Sequence, residues 1–179
     1  YSDTITMTTV CMNEYSYLVK KVNFRVGTIP IMKLLSGSFV HIAFIIFIFF
    51  LNICYGYGIS IYNLQVIYYF LCTLLLGLGW LLSAVTPFVK DVPSIVSVLL
   101  QILFWSTPIV WNPEIMSKPV QRVLQVNPMF YICQGYRDTF IDHIWFWQRG
   151  STGIYFWCFT LVILCLGAKP FKKLRPQFA

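Results

Sequence analysis

Long apolar stretches separated by short polar ones run through the chain. Leu34 to Cys54 holds one ionisable residue, His41; Leu64 to Val85 and Val92 to Trp111 hold none. Gly153 to Ala168 is a shorter run of the same kind, which reaches crossing length if Pro170 and Phe171 are added. About 20 helical residues cross a hydrocarbon core about 30 Å thick. The pattern therefore predicts four transmembrane helices, at residues 34–54, 64–85, 92–111 and 153–171. Membrane strands would alternate apolar and polar positions, whereas these blocks are apolar all round, and a helix satisfies its own backbone groups in lipid. The fold class expected is all-α, a polytopic membrane protein.

The stretch between the last two spans is the most informative. About 40 residues are too many for a structureless loop, and their apolar pieces are too short to cross. Ser117 with Pro119, and Asn127 with Pro128, each read as a helix start with proline in the first turn. Two short helices follow, at residues 119–126 and 128–141, with apolar faces (Val120, Val123, Leu124; Phe130, Tyr131, Ile132, Tyr136, Phe140). They are expected to be a re-entrant pair that dips back into the outer leaflet. The third block carries Phe104, Trp105 and Trp111 and is interrupted by Pro108 and Pro113, so its helix must end early and leave its aromatics at the outer mouth.

Ahead of the first block, Tyr17, Lys20, Lys21, Phe24 and Arg25 mix basic with apolar side chains, with a break expected near Gly27 and Pro30. This suits either a short amphipathic helix on the cytoplasmic face or a segment held to anionic lipid by its lysines. Between the second and third blocks, Lys90 and Asp91 lie in a turn bracketed by Pro87 and Pro93. Asp91 suits a helix cap favoured by the dipole, and the turn is also open to a cytoplasmic partner. Gly77, Gly79 and Ser83 are small enough to let another helix approach closely. The chain starts on a polar stretch, Tyr1 to Tyr17, that has no signal-peptide pattern, so a preceding part is expected to be missing.

Composition agrees with a lipid solvent: 58% of residues are hydrophobic and 11% charged, where soluble domains carry roughly a quarter charged. The net charge of +7 is gathered at span ends. Lys20, Lys21, Arg25 and Lys33, then Lys90, then Lys169, Lys172, Lys173 and Arg175 mark the cytoplasmic side by the positive-inside rule. No basic stripe interleaved with stacking aromatics points to nucleic acid. The six cysteines contain no CxxC pair and read as packing residues. There is no phosphate loop, no HExxH, and no assembly of nucleophile and base, so catalysis by this chain is not expected. His41 within a span reads as bonded to a neighbouring helix or as lining a path.

The segments "YSYLVKKVNFRVGTIPI", "FVKDVPSIVSVLLQILFWSTPIVW", "LQVNPMFYICQGYRDTFID" and "FKKLRPQFA" resemble the membrane subunits of ABC-2 type polysaccharide exporters, and most of all the teichoic acid translocation permeases, with O-antigen and capsule permeases next. The resemblance implies six spans per subunit, of which those here are the third to sixth, the chain beginning near the end of the second. It implies residues 1–33 as a cytoplasmic segment whose Tyr17, Lys20, Lys21, Phe24 and Arg25 form a coupling helix on a separate ATP-binding subunit, and residues 34–179 as the transmembrane domain. ATP and Mg would sit in that partner, with no cofactor or metal in this chain. A second permease copy would complete the channel, in a bacterial plasma membrane, for a lipid-linked anionic glycan.

For such a cargo Phe104, Trp105, Trp111, Tyr131 and Tyr136 are candidates for the channel or gate, since sugars stack their C–H faces on rings; each also suits an interfacial belt. Arg137 and Asp138 read as a fixed pair supporting the gate, or Arg137 as a contact to cargo phosphate. Two other readings are an ABC-2 exporter of a drug or small lipid, and a membrane scaffold for glycan synthesis.

Overall fold

The computed structural model describes residues 1–17, 26–55, 61–109, 111 and 115–174. Among them there are helices and turns and no strand. In chain order these are α1 (Ser2–Glu14), α2 (Thr28–Cys54), α3 (Ile61–Val85), α4 (Val92–Ser106), α5 (Lys118–Leu124) and α6 (Pro128–Arg137). A π turn (Asp138–Asp142) and a 3-10 turn (Phe146–Arg149) then lead into α7 (Gly150–Leu174).

Among the described residues three helices are long and apolar enough to cross a membrane, over Thr28–Cys54, Asn63–Val85 and Thr152–Lys169. The fold is thus all-helical and polytopic. The block expected at residues 92–111 forms only the 15 residues of α4, about 22 Å at 1.5 Å per residue. Its end follows from Pro108, which has no N–H to give and drives Thr107 out of the helical region. The Thr107 amide bonds back to the Phe104 carbonyl, three residues earlier, and the Ile109 amide to that of Thr107. The last block, shortest in sequence, is continued into a full helix. In α2 the helix starts six residues before the expected Leu34, with Pro30 in its first turn, where proline costs no hydrogen bond.

The chain divides into two compact units. The first comprises Tyr1–Ala43, Cys72–Val98 and Thr160–Ala179. It contains α1, an ordered helix in a stretch whose polarity suggests no span. Its threonines hide their hydroxyls in the helix: Thr8 donates to the Thr4 carbonyl at 2.8 Å and Thr9 to that of Ile5 at 2.7 Å. With those donors satisfied, both side chains are buried at little cost. Thr4 fits against Gly37 of α2, and Thr8 against Gly79 of α3. Elsewhere in this unit α3 and α7 touch backbone to backbone, since a Cβ on Gly167 would lie 2.6 Å from the Gly77 carbonyl oxygen.

The second unit comprises Phe44–Leu71 and Leu99–Phe159. Its core is aromatic: Phe70, Tyr131 and Phe156 stack with centroids 5.2 to 6.1 Å apart, and Trp157 meets Phe70 edge-on at 4.7 Å. A Cβ on Gly135 would lie 2.6 Å from Ile67 Cδ1, so α6 lies tightly on α3.

Candidate functional site

Both expected short helices form, with Ser117 and Asn127 as their N-caps and a proline in each first turn. They are not equivalent. No residue of α5 is buried, and Val120 and Val123 stay open. In α6, Met129, Phe130, Tyr131, Ile132 and Gly135 are buried. The expected apolar face therefore serves α6 as a packing surface within the unit, while that of α5 remains uncovered.

The α6 segment is held by hydrogen bonds from three helices. Asn127 is buried and bonds at both ends of its amide: Oδ1 accepts from the Met129 amide at 3.0 Å. Its Nδ2 lies 2.9 Å from Thr107 Oγ1 and 3.1 Å from Ser106 Oγ, tying the segment to the end of α4. Arg137 adds a second tie, donating to the Pro108 carbonyl at 3.1 Å. From α3, Asn63 Nδ2 donates to Thr139 Oγ1 at 2.8 Å and to the Ile144 carbonyl at 3.1 Å. From α7, the Tyr155 hydroxyl donates to the Val126 carbonyl at 2.7 Å.

These ties flank the π turn at Asp138–Asp142, an insertion that helices often carry at functional sites. The buried Asp138 carboxylate accepts from Gln134 Nε2 at 3.0 Å. Arg137 thus reaches out of the segment to the turn after α4, whereas the Asp138 bond to Gln134 lies within the segment. Burial pushes the neighbouring Cys133 thiol up to about 11, against the pull of the Arg137 guanidinium.

The aromatic candidates separate into two groups. Trp105 is 71% exposed and Phe104 47%, with ring centroids 5.7 Å apart and planes at 83°. Trp111 is half-buried. Tyr131, in contrast, is buried in the aromatic core, and Tyr136 stacks on Phe140 at 6.5 Å. Lys90 and Asp91 are exposed in the α3–α4 turn, where the Asp91 carbonyl opens α4 by accepting from the Ile95 amide at 3.0 Å. Tyr17 is exposed; Lys20, Lys21, Phe24 and Arg25 lie outside the described residues.

Sequence reasoning singled out Asn127 as a cap but missed its reach to α4, and it missed Asn63, Glu14 and Tyr155 altogether. Polar side chains at the edges of apolar blocks were the available signal. No group of three metal-ligating side chains occurs among the described residues. A family model described as ABC-2 type transporter matches residues 3–141. No curated protein matches the chain.

Proposed function

The chain belongs to the ABC-2 type transporter family, as the membrane component that works with an ATP-binding ABC partner, and from that premise we propose that it exports a lipid-linked, anionic polysaccharide of the teichoic acid kind across the plasma membrane. It does so as one of two permease copies, and the ATP-binding subunits hydrolyse the nucleotide. Lys20, Lys21 and Arg25, with Tyr17 and Phe24, dock on the ATP-binding subunit, and the exposed α3–α4 turn with Lys90 and Asp91 adds a second contact.

The observation that carries the cargo reading is the exposed, mutually perpendicular pair Phe104 and Trp105 on the last turn of α4. Two open ring faces just before a proline-terminated helix end suit a chain of sugars, which offers C–H faces to rings while its hydroxyls stay hydrated. With Trp111 they line the path. Tyr131 and Tyr136 brace the gate from within, and Arg137 and Asp138 fix its position. Movement of the gate acts on α4 through the Asn127 and Arg137 ties.

The test is reconstitution of the full permease with its ATP-binding subunit in liposomes, using a fluorescent polyprenyl-diphosphate oligosaccharide as probe. ATP-dependent outward movement of the probe is expected, with a several-fold loss in Phe104→Leu and Trp105→Leu at unchanged ATP-subunit binding. Equal transport by both variants would remove the rings from the path. Movement of a simple phospholipid probe with none of the glycolipid would replace the polysaccharide reading by small-lipid export.

A further inference from the structure

Within the first unit, the end of α1 and the start of α2 meet around an ion pair. Lys33 Nζ lies 2.9 Å from Glu14 Oε2, across 19 residues of sequence. The same ammonium sits 5.1 Å from the centroid of the Tyr15 ring, a cation–π contact. Beneath it, Cys11 and Met12 of α1, Val26 in the turn before α2, Ile29 in the first turn of α2, and Ala84 of α3 form a buried cluster, with Tyr15 and Trp80 packed against it. Trp80 Nε1 donates to the Gly27 carbonyl at 3.3 Å. Three helices are thereby fastened at one point.

Stability does not account for the ion pair. Its lysine and glutamate side chains are 20% and 49% exposed, and pairs this open to solvent add little to folding because water and salt screen them. The apolar cluster below already holds the helices together by burial. What the charges add is direction: contacts between apolar side chains tolerate sliding, whereas Lys33 must stay over Glu14 and Tyr15 to keep both partners.

We infer that Glu14 and Lys33 are positioning residues of the transport cycle, a strut that keeps the end of α1 and the start of α2 at fixed spacing. A displacement applied by the ATP-binding subunit to the basic segment joining the two helices then moves them together, and Trp80 passes it to α3. This rests on the permease reading above. Neither residue touches cargo or nucleotide.

The test uses the full permease assembled with its ATP-binding subunit. A fluorophore on Ile102→Cys, in a background with the native cysteines replaced, reports the nucleotide-driven change at the exposed α4. Glu14→Lys is expected to keep the complex, its melting temperature and its ATP hydrolysis, while the nucleotide-driven signal falls several-fold. The swap Glu14→Lys with Lys33→Glu is expected to restore it. Glu14→Gln, which removes the charge without reversing it, serves if the reversal disturbs folding, and is expected to give an intermediate loss.

An undiminished signal in Glu14→Lys and Glu14→Gln, or no recovery in the swap, overturns the strut. A loss of melting temperature that tracks the loss of signal makes the pair merely structural and overturns it too. If the parent chain binds no ATP-binding subunit, the permease reading itself fails and the strut with it, an outcome separate from the others.

Discussion

At the scale of single residues, glycines and buried amides decide how close the helices come. A methyl at Gly135 would press on Ile67 Cδ1, the far end of a flexible side chain, whereas at Gly167 it would meet the fixed carbonyl of Gly77. Overpacking costs about 1–3 kcal/mol, so Gly135→Ala is expected near the lower end and Gly167→Ala at or beyond the upper. Thermal unfolding of the detergent-solubilised protein measures the difference, and equal melting of the two would contradict it.

Asn127 is a similar case. Asn127→Ala removes a helix cap worth about 1 kcal/mol and strips Thr107 and Ser106 of their amide donor. Asn127→Asp keeps the cap on Met129 but cannot donate, so its loss should be the smaller one in the same assay. The cap was legible from Asn-Pro in the sequence. The donors reaching α4 were not, because the partners lie 20 and 21 residues away and meet Asn127 only after the chain turns back.

At the scale of elements, periodicity and length decided most of the outcome, and proline decided the exceptions. Four apolar blocks became four apolar helices, but α4 stops at Ser106 because Pro108 cannot continue it. Composition marks α1 as polar, yet three of its four threonines, Thr6, Thr8 and Thr9, turn their hydroxyls onto carbonyls of their own helix. The basic segment between α1 and α2 is the one proposed to dock on the ATP-binding subunit. Changing Lys20, Lys21 and Arg25 to Glu is expected to abolish co-purification of that subunit with insertion unchanged. Intact complex after that change would return the segment to the role of a lipid anchor.

At the scale of the whole molecule, the distribution of charge predicts sidedness. Lysines and arginines flank the spans on the side of Lys33, Lys90 and Lys169, which the positive-inside rule places in the cytoplasm. A membrane-impermeant thiol reagent applied to intact cells is expected to label Ser117→Cys, and to label Lys90→Cys only after permeabilisation; the opposite pattern would invert the topology. The sequence by itself determined that the chain is helical and membrane-spanning, where the short helices start and which side is basic, because each depends on a residue and its near neighbours against lipid or water. Only the tertiary structure decided that Tyr131 is enclosed while Trp105 is open, and that Asn63 answers Thr139 and Glu14 answers Lys33. Those outcomes depend on which distant surfaces a closely packed interior brings together, and that pairing is a property of no single stretch of chain.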